Sequence, residues 1–306
     1  MIVRPRPSVL SLFYILRGSI LPRIAAQLLI ILLLSCVVAW LHEERGWFMG
    51  SHLGAVPFSL FGLALSVFLG FRNNVCYDRW WEARRQWGEL IVRLRNLSRE
   101  SGALLAEPEP ALHARLMRRL IGFTYVLAAR LRSQDELAAA RPWVEEGEAR
   151  ALADRGNVAD AMLCAANADL AGALRRGTVS DIVYQGLLQH LAACAGVQGA
   201  CERSLHTPMP FAYSLLLHRT AWLFCLLLPF GLVGVLGLFT PVVVVIVAYT
   251  FFGLDALGDE LENPFGQTDN DLPLLALARV IEIDLLDGLG VRPLPKRLVP
   301  VDYVLH

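Results

Sequence analysis

Between Thr220 and Leu254 about 35 residues pass without an Asp, Glu, Lys or Arg, and one helical crossing of a hydrocarbon core needs only about 20. The run is therefore long enough for two membrane helices, and Gly237-Leu238-Phe239-Thr240-Pro241 supplies the break between them. Two more runs lie near the N-terminus. Ile24 to Leu41 is the first. Gly46 to Phe71 is the second, and its helical half starts at Pro57, a residue suited to a first turn. Four spans follow, and the fold class is all-α.

Composition agrees with a membrane class. Hydrophobic residues make up 55% of the 306 and charged ones 18%, against about 45–50% and 25% in ordinary soluble domains. Lys plus Arg and Asp plus Glu both number 28, so the chain lacks the basic surplus that a nucleic-acid binder uses to displace counterions. The six cysteines show no repeated spacing, which speaks against a disulfide framework. A signal peptide does not fit, because the first apolar run starts late, is long and lacks a small-residue cleavage site.

Basic residues set the orientation. Arg4, Arg6, Arg17 and Arg23 precede the first span and Arg72, Arg79, Arg84 and Arg85 follow the second, whereas Arg45 stands alone between them. Both termini are then expected in the cytoplasm. The expected organisation is an N-terminal cytoplasmic segment (1–23), two spans (24–72), a cytoplasmic helical region (73–219), two further spans (220–254) and a cytoplasmic C-terminal segment (255–306). Within 73–219, residues 82–100 and 111–133 carry apolar residues at helical spacing. Gly147 and Gly156 bracket an expected loop, and a helix is expected over 180–194 with Ser180 and Asp181 as caps.

The second span carries two stripes. Leu63, Val67 and Phe71, at i, i+4 and i+8, drift only about 80° around a helix and form a line roughly 12 Å long. Gly62, Ser66 and Gly70 form a neighbouring line of small residues that lets another helix approach closely. The apolar stripe either faces lipid or protein core, or, if copies of the helix surround an axis, forms apolar rings that gate by dewetting. None of the spans has a charge in its middle, which disfavours a proton-coupled transporter.

Enzyme signatures are weak. Gly50-Ser51-His52-Leu53-Gly54 places its Ser one position early for a nucleophile elbow, and His42-Glu43-Glu44-Arg45-Gly46 ends where a zinc motif needs a second His. No catalytic residue is expected. His190, Cys194, Cys201 and His206 carry zinc-ligand chemistry without a C-x-x-C knuckle, so buried thiols and an ordinary histidine are the expected outcome. Asp269-Asn270-Asp271 groups the hard oxygen ligands that Ca²⁺ prefers, but no EF-hand Gly or Glu follows, and a turn with solvated carboxylates is the expected reading ahead of a Ca²⁺ site.

Three ordered motifs resemble those of the bestrophin family: Phe71-Arg72-Asn73-Asn74-Val75-Cys76-Tyr77-Asp78-Arg79-Trp80-Trp81-Glu82-Ala83-Arg84, Arg17-Gly18-Ser19-Ile20 ahead of the first span, and Glu262-Asn263-Pro264-Phe265-Gly266 after the last. The likeness covers nearly the whole chain and is closest to bacterial members. It implies a homopentameric ion channel in the bacterial inner membrane, with one axial pore for small monovalent ions and no enzymatic activity. It also implies that the second span lines a pore neck, and the family's three neck positions fall on Leu63, Val67 and Phe71, the residues of the apolar stripe. The family's cytoplasmic constriction falls on Ile182. Animal members conduct anions and clasp Ca²⁺ with an acidic run after Asn-Pro-Phe-Gly. Here Gln267, Thr268, Asp269, Asn270 and Asp271 hold only two carboxylates, which weakens a Ca²⁺ site. The resemblance leaves two expected ions, chloride as in animal members, or sodium or potassium as in some bacterial relatives; the competing class is a membrane-anchored helical scaffold without a pore.

Overall fold

The computed structural model describes residues 1–5, 8, 10, 14–46 and 55–305. Arg6, the Gly50–Gly54 motif and His306 lie outside the described residues. The described residues are mainly helical: α1 (Leu21–Arg45), α2 (Ala55–Leu105), α3 (Pro110–Leu131), α4 (Glu136–Ala140), α5 (Glu146–Ala153), α6 (Val158–Arg175), α7 (Asp181–His206), α8 (Phe211–Leu236), α9 (Thr240–Glu262) and α10 (Leu274–Gly288). Among the described residues extended pairing is limited to isolated bridges of Val304 with Ile2 and Val301.

The helices divide into two compact units, one of residues 5–80 and 208–263, the other of residues 1–4, 81–207 and 264–306. The first unit holds α1, the N-terminal half of α2, α8 and α9. Its α1 has 25 residues, about 37 Å at 1.5 Å each, and ends where Gly46 adopts a left-handed φ of 60° that its lack of a Cβ permits. Between α8 and α9 the chain turns through a short 3₁₀ segment, Gly237–Phe239, with Gly237 again at positive φ, at the expected break. The interior is apolar: Ile24 and Ile31 of α1, Leu65 and Leu69 of α2, and Phe224, Leu228, Val244 and Phe252 of α8 and α9. Packing is close, since a Cβ on Gly231 would stand 2.2 Å from the Phe58 ring. The outside is apolar as well. Leu29, Leu33, Val37 and Trp40 of α1 and Leu223, Val235, Val242 and Ile246 of α8 and α9 are exposed. A large apolar exterior on helices of this length suits lipid, not water.

α2 runs for 51 residues without a break, so the second span and the first expected cytoplasmic helix are one element. Residues 71–82 contain neither Gly nor Pro to stop the helix. The buried positions Leu69, Arg72, Cys76, Ala83, Trp87, Leu90, Leu94 and Leu97 follow one another at three, four or, across the join, seven residues, and so stay on one side of the helix.

In the second unit Trp87, Leu90 and Leu94 of α2, Leu116, Leu120 and Phe123 of α3, Met162 and Leu170 of α6, Leu187 and Cys194 of α7, and Ile281 and Leu285 of α10 are all buried. Residues 147–156, expected as a loop, instead hold most of α5. Glu, Ala, Arg and Leu are strong helix formers, Ala149 and Leu152 present a buried i, i+3 pair, and Glu148 meets Arg119 at 2.8 Å. α7 also continues twelve residues past its expected end at position 194, because Cys194, Val197 and Cys201 prolong its buried stripe. Its start is as expected: Ser180 Oγ accepts from the Val183 N–H at 3.3 Å.

Candidate pore-lining site

α2 meets its own unit through Leu65, Leu69, Arg72 and Cys76, which are nearly inaccessible. Leu63, Val67 and Phe71 sit two residues out of step with Leu65 and Leu69, about 200° around the helix, and point away. They are 62%, 46% and 59% exposed. All three are apolar side chains that the subunit itself leaves uncovered. A cleft of about 560 Å³ opens beside Phe71, bordered by Val75, Met209, Pro210, Tyr213 and Leu216.

The stripe of small residues does not act as one surface. A Cβ on Gly62 would come within 3.1 Å of the Phe224 ring, so this glycine seats a helix of the same chain. Gly70 would meet nothing within 4 Å, and the exposed Ser66 returns its hydroxyl to the Leu63 carbonyl at 2.8 Å. Ile182 lies in the first turn of α7 and is 77% exposed, and Asp181 beside it accepts from the Ile182 N–H at 3.0 Å.

A charge cluster follows Phe71 directly. The buried Arg72 donates through Nη1 to Asp255 Oδ1 at 2.8 Å and through Nη2 to Asp259, with Glu262 at 3.6 Å; the three acids share one face of α9. His218 of α8 meets the other Asp255 oxygen at 2.7 Å. Sequence reasoning used Arg72 for orientation and within the family motif and did not see the cluster. A signal was available: Arg72 closes one apolar run and Asp255 closes another, and charges at such places need partners.

At the acidic turn Asp271 is buried, and its Oδ2 accepts from the Thr268 N–H at 2.5 Å. Arg132 of α3 donates to the carbonyls of Phe265 at 3.3 Å and Leu272 at 3.1 Å. Burial pulls the Arg132 guanidinium below its usual range, and the charge of Asp271 opposes that pull. These residues do not fit the Ca²⁺ site that the resemblance implies. The carbonyls of Phe265 and Leu272 are engaged by Arg132, the Asp271 carboxylate is tied to its own turn, and a cation already stands there. His190 Nε2 pairs with Glu100 at 3.0 Å, and burial pushes the Cys194 and Cys201 thiols up to about 12. Among the described residues no three His, Cys, Asp or Glu side chains converge on a metal position.

The family model described as bacterial/fungal bestrophin protein matches residues 1–287. The chain belongs to the bestrophin family. It is 43% identical over 302 residues to the voltage-dependent anion channel-forming protein mll4386 of Mesorhizobium japonicum, covering 97% of this chain and 95% of the relative. It is 38% identical over 304 residues to the voltage-dependent anion channel-forming protein YneE of Escherichia coli K12, covering 98% of each. A bacterial bestrophin homologue from Klebsiella pneumoniae, known from its crystal structure, is 39% identical and superposes with a TM-score of 0.84 over 88% of this chain and 100% of that one. This bestrophin is mainly helical among the described residues, has helices long and apolar enough to cross a membrane, and is not an enzyme; its curated relatives are named channel-forming proteins.

Proposed function

We propose that five copies of this bestrophin surround an axis and conduct small monovalent ions passively through a neck lined by α2. Leu63, Val67 and Phe71 would form three apolar rings, and Ile182 a second constriction at the cytoplasmic exit. The observation that carries the reading is the exposed apolar stripe on the face of α2 opposite its buried one. Rings of this kind exclude ions by dewetting, so they act as a gate and select by dehydration cost more than by sign. The Phe71 ring offers its positive edge to a passing anion. Ser66 and Gly70, open within the subunit, give a neighbouring copy a close approach, and the exposed Trp81 braces it or anchors the helix end near the headgroups. The excess of arginine before the first span and after the second supports an orientation with both termini on the cytoplasmic side of a bacterial inner membrane.

The test is the reversal potential of the purified protein in a planar bilayer under a tenfold NaCl gradient. A shift towards the chloride potential assigns an anion channel, as the curated relatives are named; a shift towards sodium assigns a cation channel on the same neck. Silence in an assembly shown to be pentameric overturns the pore and leaves a membrane-anchored scaffold.

A further inference from the structure

We propose that Arg72 is a positioning residue of the neck and that His218 makes its hold on α9 sensitive to protons. The inference rests on the neck reading above. Arg72 follows Phe71 in the chain, is 1% exposed, and binds both the carboxylate and, at 3.2 Å, the carbonyl of Asp255. It lies against the α9 backbone itself: a Cβ on Gly258 would stand 3.2 Å from the Arg72 guanidinium carbon. Asp255 shares its two oxygens between Arg72 of α2 and His218 of α8, so one buried carboxylate joins three helices at the level where the stripe ends.

A buried guanidinium persists only while paired, because the charge alone is costly to desolvate. His218 is about half exposed and open to solvent protons. Neutral, it donates Nδ1–H to Asp255 as a dipole. Protonated, it becomes a second cation on the same carboxylate, competes with Arg72 and repels it. The other charged and titratable groups around it are Asp259 and Glu262 of α9, the buried Cys76 of α2, Arg79 of α2, whose Nε donates to the Glu262 carbonyl at 3.3 Å, and Arg23 of α1, paired with Glu260 at 3.3 Å. Of these residue types only histidine changes charge in the neutral range. Acidification therefore weakens the tie between α2 and α9, and Phe71, one residue away, loses its brace.

The experiment is current per reconstituted pentamer of the full chain at pH 7.5 and pH 5.5. Wild type should rise about threefold on acidification, the effect of one partly solvated charge pair, and His218→Gln should bring the ratio close to one. Arg72→Lys, which keeps the charge and loses the fork, should raise the current at pH 7.5 and shrink the pH ratio. A flat wild-type profile, or a ratio that His218→Gln leaves intact, overturns the proton sensor. Combined Leu63, Val67 and Phe71 to Ala should lose the pH ratio with the gate; if it keeps the ratio, Arg72 does not act through the neck. If that triple variant carries wild-type current at pH 7.5, the neck reading falls by itself, whatever His218→Gln shows.

Discussion

Phe71 and Arg72 are adjacent in the chain and opposite in surroundings: Phe71 is 59% exposed on the free face of α2, while Arg72 is 1% exposed and bonded into α9. A helix turns 100° per residue, so neighbours in sequence can serve an assembly and a subunit interior respectively. If the exposed face lines a pore, replacing Leu63, Val67 and Phe71 by Ala should widen and wet the neck and raise single-channel conductance. Unchanged unitary currents in the triple variant would remove the assignment.

Tyr125 joins α3 to α10. Its hydroxyl donates to Glu282, Arg279 donates to the hydroxyl at 3.2 Å, and its ring lies flat on Trp143 with centroids 5.8 Å apart. Burial and the Glu282 carboxylate push the phenol up to about 12, so it stays a donor throughout the neutral range. Tyr125→Phe should cost about 1–3 kcal/mol, the usual loss for a hydrogen bond to a buried charge. Chemical denaturation in detergent measures it; a midpoint equal to that of wild type would show the bond to be dispensable.

His113 on α3 is buried, its Nε2 has no hydrogen-bond partner, and burial holds its imidazole below the ordinary 6.5. The unfolded chain binds this proton more readily than the folded one. Stability from this site is therefore complete above pH 6.5 and declines as pH falls below it towards the lowered folded value. His113→Leu should reduce the loss of thermal stability between pH 7.5 and 5.5 relative to wild type. Parallel melting profiles for the two proteins would contradict the assignment.

Arg132 supplies the positive charge at the 264–272 turn, so Ca²⁺ should find no vacancy there. Wild-type melting temperature and current are expected to be the same in millimolar Ca²⁺ and in chelator. Arg132→Gln removes a charge-assisted donor from two carbonyls and should destabilise the chain by about 1–3 kcal/mol. A saturable stabilisation of wild type by Ca²⁺ would reverse this reading of the turn.

The long apolar helices, the break at Gly237, the Ser180 cap and the apolar stripe of α2 were legible in the sequence because each follows from a local rule. Those rules are the length needed to cross lipid, the freedom of a residue without a Cβ, an oxygen within reach of an orphan N–H, and 3.6-residue periodicity. Local rules failed where a boundary depended on nothing local. The join of span two to the next helix carries a change in polarity but no breaker, and the helix continues because its buried residues, from Leu69 through Arg72, Cys76 and Ala83 to Trp87, stay on one side. The stretch after Gly147 looks like a charged loop until Arg119, 29 residues earlier, pairs with Glu148.

Only the tertiary structure decided what sits behind the exposed stripe of α2 and beneath the acidic turn. Arg72 and Asp255 are 183 residues apart, and Arg132 and Leu272 are 140 apart. Sequence periodicity reports which face of a helix is apolar, but not which distant helix a charge must meet, because burying a charge is tolerated only at the one place where packing brings its partner within hydrogen-bond reach.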